Sequence, residues 1–201
     1  MIRRIGIHVA LATIALGAMM TAGAAPTPLE FQRALTTLHE QQLARQPVRT
    51  TIVAGKYEGS AAARYRYEET SYFEAASGRL LSRVRRDAVK PHAIHVIEVN
   101  VHDEAGRVIR DYVSIAQPWA PLQPGRSLIN LHQYHGQLHS FRQFDLANRV
   151  GYESCTGLFE GRPVRIGLDD DEITPQATAT PEYQACFDGL DKDAGKYLTP
   201  F

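Results

Sequence analysis

Residues 127–144 read SLINLHQYHGQLHSFRQF. Two eight-residue runs, Ser127–Tyr134 and Gln137–Phe144, flank a His135-Gly136 pair. Apolar residues fall on alternate positions, which is the period of a half-buried strand. Two residues between such runs make a hairpin, and a hairpin makes antiparallel neighbours. Everything outward from this stretch repeats the formula.

Upstream, Ile97, Val99 and Val101 alternate against Val96, Glu98 and Asn100. Asp103-Glu104-Ala105-Gly106 then turns the chain, with Gly106 suited to the left-handed bulge position, and Val108–Ile115 returns. Further turns are expected at Gly59-Ser60, at 76–79 and at Glu160-Gly161. A Pro-rich stretch, 117–125, interrupts the series once. The count reaches about nine strands with short connections. That predicts an α+β chain, mainly antiparallel β, with an up-and-down meander curved into a half-barrel or barrel-like sheet.

Thr27-Pro28-Leu29-Glu30 opens the one long helix. Thr at the cap, Pro at the first helical position and Glu three residues after the cap form a capping box. Phe31, Leu35 and Leu38 recur at helical spacing until Pro47, so an amphipathic helix is expected from 28 to about 45. A short helix over about 181–189 carries Cys186, and the tail beyond Asp191 is expected to be loosely held.

The first 24 residues stand apart. Arg3 and Arg4 precede an apolar run from Ile5 to about Met20, and Ala22 and Ala24 occupy small-residue positions. This is the three-part pattern of a cleaved secretory signal, and the run is short of the ~20 residues a spanning helix needs. The expected organisation is a signal peptide at 1–24, a helix-plus-meander domain at 25–168 and a C-terminal segment at 169–201. The expected compartment is the periplasm, with no membrane span in the mature chain. In an oxidising compartment Cys155 and Cys186 should pair, which would tie the C-terminal segment to the sheet. The mature chain, about 177 residues, keeps 20 basic and 22 acidic residues, so bulk charge draws it to no nucleic acid.

Four groups of residues suggest chemistry. With Tyr134 paired to Gln137, His132 lies opposite His139, and two imidazoles on one face are the start of a Zn or Cu site. Arg64 and Arg66, with Arg83 and Arg85 on the next strand, suggest a stripe for an anionic ligand, although Glu68, Glu69 and Asp87 lie close enough to neutralise it. Tyr65 and Tyr67, with Tyr57, Tyr72, Phe73 and Tyr112, would either line an apolar pocket or fill the core beneath the helix. Trp119, flanked by prolines, is either an exposed knob for an envelope-protein partner or a plug for the sheet end. The acidic run 169–172 has oxygen ligands for calcium but no regular ligand spacing. The sequence carries no nucleophile elbow, phosphate loop, dinucleotide fingerprint or His-Glu-x-x-His. The expectation is a non-catalytic binding or protein-interaction module, with a His-based metal protein or an enzyme assembled only in three dimensions as the alternatives.

Overall fold

The computed structural model describes residues 25–59, 62–120 and 125–200. The expected signal peptide, Ser60 of one expected turn and residues 121–124 of the Pro-rich stretch lie outside the described residues. Helix α1 (Pro28–Arg45) comes first. Its capping box is closed: the Glu30 backbone donates to Thr27 Oγ1, and the Thr27 backbone donates to the Glu30 carboxylate. Nine strands follow: β1 (Val48–Lys56), β2 (Arg66–Glu74), β3 (Leu80–Asp87), β4 (Ile94–His102), β5 (Val108–Ile115), β6 (Arg126–His135), β7 (Leu138–Asp145), β8 (Val150–Phe159) and β9 (Arg162–Asp169). Two short helices, α2 (Pro175–Thr178) and α3 (Pro181–Phe187), close the series with a 3-10 turn at Gly195–Tyr197.

All nine strands form one sheet in chain order, each antiparallel to the next. The sheet is open, with β1 and β9 as its edges, so it is not a barrel. Register shifts in four strand pairs, such as that between Gln143 and Phe144, add local twist and bend the sheet.

One face of the sheet is roofed. α1 packs on β3–β6, and α3 packs on β7 and β8. Phe31 and Leu35 are fully buried against Val84, Ile97, Val99, Tyr112 and Ile129. The Phe31 and Tyr112 rings meet edge to face, 6.0 Å apart. His39 is also buried here, its Nδ1 2.8 Å from Ser82 Oγ. Burial, helped by the positive charge of Arg86, pushes its pKa down to about 4.

The Cys155–Cys186 disulfide joins β8 to α3. The tail beyond it is better held than the sequence suggests. Ala194 is fully buried, and its backbone donates to the side-chain oxygen of Asn148. No helix among the described residues is long and apolar enough to cross a membrane.

Candidate functional site

The hairpin around Gly136 corrects the expected register. The turn is Gly136-Gln137 rather than His135-Gly136, so His135 pairs with Leu138 and Tyr134 with His139. Gly136 has φ +56°, and a two-residue turn with glycine first takes that conformation without a Cβ clash. His132 therefore stands opposite Phe141, not His139. The slip is by two residues, so the faces are preserved. His132 and His139 become diagonal neighbours, with Nδ1 and Nε2 3.1 Å apart.

Their two rings are coplanar within 2°. With centroids 5.4 Å apart they meet edge to edge in a hydrogen bond, not face to face. Asp111 Oδ2 accepts from His132 Nε2 at 2.8 Å. His132 Nδ1 shares a hydrogen bond with His139 Nε2, and the pKa of His139 is lowered by burial and by the neighbouring His132. Asn130 and Gln143 continue the same hydrogen-bonded row. Among the described residues no group of three or more His, Cys, Asp or Glu side chains is placed to hold a metal. The pair supplies two nitrogens, one of which already answers the other.

The basic stripe is divided by the structure. Arg85 and Arg83 are ion-paired to Glu69, and Arg83 also reaches Glu98. Arg64 lies over the ring of Tyr65, and Arg66 is exposed at the start of β2. Arg83 and Arg85 are thus neutralised on the sheet face. The aromatic residues also part company. Tyr72 packs on His39 and Tyr112 on Phe31, both under α1. Tyr57, Tyr65, Tyr67 and Trp119 form a separate cluster, with Trp119 4.8 Å from Tyr57. Trp119 is half-buried in that cluster and is no exposed knob. Gly55 makes room for it: a Cβ there would sit 2.4 Å from the Tyr67 ring.

A large concavity lies elsewhere, beside α2 and α3. It is a half-open cavity of about 960 Å³. Its walls are Leu138, Val150, Leu158, Phe159, Ile173 and Phe187. At its floor Arg142 and Glu153, paired across β7 and β8, form an ion pair with both side chains almost fully buried. Arg142 also donates to the carbonyls of Leu190 and Asp191, 3.0 and 2.8 Å away. Tyr183 of α3 donates to Glu153 at 2.6 Å. Burial and that carboxylate push the tyrosine pKa up to about 12. Charged and polar side chains, including Glu160, Gln184, Asp188 and Lys192, complete the lining.

Arg142, Glu153 and Tyr183 do not figure among the residues expected from sequence. One signal for the first two is present there. Arg142 shares its alternation with Leu138 and Phe144, and Glu153 shares its own with Cys155. A charge on each inward row, at cross-strand positions, marks a buried pair.

Comparison with protein-family models, curated proteins and solved structures gives no match for this chain. Its function is therefore read from its own geometry.

Proposed function

We propose that this chain is a secreted, non-catalytic binding module that takes a small, mostly apolar ligand between α3 and strands β7 and β8. The observation that carries this reading is the cavity of about 960 Å³ with apolar walls and one buried polar floor. Small-molecule sites have this form: ~300–1,000 Å³, chiefly apolar, with a few fixed polar groups.

The floor favours binding over catalysis. Arg142 is neutralised by Glu153 and holds two backbone carbonyls. Tyr183 keeps its proton at neutral pH, so it can offer hydrogen bonds but no ready base. The buried cation of the floor is already neutralised, so the preferred ligand is chiefly apolar, with Tyr183 and Lys192 on the lining to meet a polar group. The Cys155–Cys186 bond fits an oxidising compartment and supports placing the chain outside the cytoplasm.

The test is titration of the purified chain with N-phenyl-1-naphthylamine, an apolar probe that brightens out of water. Saturable one-site binding is expected, and Ala185→Trp, which fills the cavity from α3, should weaken it about tenfold or more. Absence of saturable binding, or equal binding by Ala185→Trp, would overturn the reading.

A further inference from the structure

The two edges of the sheet are unlike. In β1 the backbone of Tyr57 donates to Tyr65, and Pro47 accepts from Ala75 across β2. Backbone groups alternate along a strand, so residues 49, 51, 53 and 55 turn toward β2. Val48, Thr50, Ile52, Ala54 and Lys56 turn their N–H and C=O groups outward. None of the usual edge protections is present: no proline, no bulge, and charge only at Arg49 and Lys56. Ile52 and Val53 are each 61 % exposed, and nearly the whole strand is open to solvent.

The β9 edge is blunted. The two-residue turn Glu160-Gly161 makes Phe159 and Arg162 the first pair of the β8–β9 hairpin. Pro163 follows, turned outward without an N–H to give. Arg165 and then Asp169, Asp170 and Asp171 continue that edge. Head-to-tail stacking of β1 on β9, which would build an open filament, meets these obstacles.

We propose that β1 pairs antiparallel with β1 of a second copy of this chain, about a two-fold axis at Ile52. In that register Ile52 meets Ile52, Thr50 meets Ala54 and Val48 meets Lys56, all outward-facing residues. Arg49 falls opposite Gly55, so no like charges oppose one another. Five paired residues exchange about ten backbone hydrogen bonds, and the nine strands of each copy join into one continuous sheet. The axis closes the assembly at two, because the only other edge is the blunted one.

Sedimentation equilibrium of the full chain, disulfide intact, tests this. A reversible dimer that fills with rising concentration is expected. Ile52→Pro removes one outward donor from each copy and leaves pairing with β2 intact; it should weaken the dimer about tenfold or more with unchanged circular dichroism. Ile52→Lys and Ile52→Glu place like charges across the axis, so each alone should be monomeric. Mixed together they should pair again, a recovery that only a two-fold contact at this residue gives. A wild-type monomer at all concentrations, a dimer that survives Ile52→Pro, or a mixture of the charged variants that stays monomeric would each overturn the proposal. None of these outcomes touches the cavity, which lies at the other end of the sheet.

Discussion

Under α1 the roofed face of the sheet is solid. Phe31, Leu35, Tyr112 and Ile129 leave no room between helix and strands. Under α3 the same face, built from strands with the same alternation, is hollow. The difference lies in the roof. α1 has 18 residues and sends a row of large apolar side chains downward, whereas α3 has seven and reaches the sheet chiefly through Cys186 and Phe187. A short helix cannot bury enough surface to hold itself in place. The second half substitutes a covalent bond and a buried ion pair for packing. What it leaves unfilled is the cavity.

Large-to-small substitutions sharpen this contrast most. Phe31→Ala should cost about 4 kcal/mol, the usual figure for a phenylalanine in a closed core. Phe187→Ala, beside a space that is already empty, should cost about half as much. Urea unfolding of both variants decides it, and equal losses would mean that the two halves are packed alike. Replacing both cysteines with alanine comes next. Opening a loop with a sequence separation of 31 should cost about 3.5 kcal/mol in the chain-entropy model. The loss should fall on α3, seen as faster hydrogen exchange at 181–190 than under α1.

In the solid half, stability depends on pH through His39. His39 titrates near 6.5 when unfolded and near 4 when buried, so protonation favours the unfolded chain. Its contribution is present above pH 6.5 and is lost as pH falls toward 4. Between pH 7 and pH 5 the loss should be about 2 kcal/mol, read from urea midpoints. His39→Asn should flatten that slope. The smallest effect is at the start of α1, where Thr27→Ala should cost about 1 kcal/mol by removing the cap.

Most of the fold was legible because each element rests on local chemistry. The α1 cap, the period-two strands and the turns are written in adjacent residues, and meander order follows from short connections. The His132–His139 register slipped by two because a glycine fits more than one position of a tight turn, and only the conformation of Gly136 chooses. The face survived that slip, so the two histidines still met. The cavity was not legible. It depends on how far α3 stands from the sheet, and no run of neighbouring residues records that distance. Arg142 and Glu153 were readable as charges on inward rows, but Tyr183 joins them across 30 residues. The tyrosines suggested a pocket because aromatics gathered in sequence, yet Tyr57, Tyr65 and Tyr67 pack with Trp119 at a different end of the sheet.

Because the order of strands in space is their order in the chain, no strand waits for a distant partner before it can dock. Growth of such a sheet has low contact order and proceeds one hairpin at a time. The roof over the hollow half comes only after β9 in the chain, and its sulfur bond to β8 can close only once α3 has been made. Between those two moments the growing molecule exposes an unlined trough. A small apolar compound present then would meet that trough before α3 covers it.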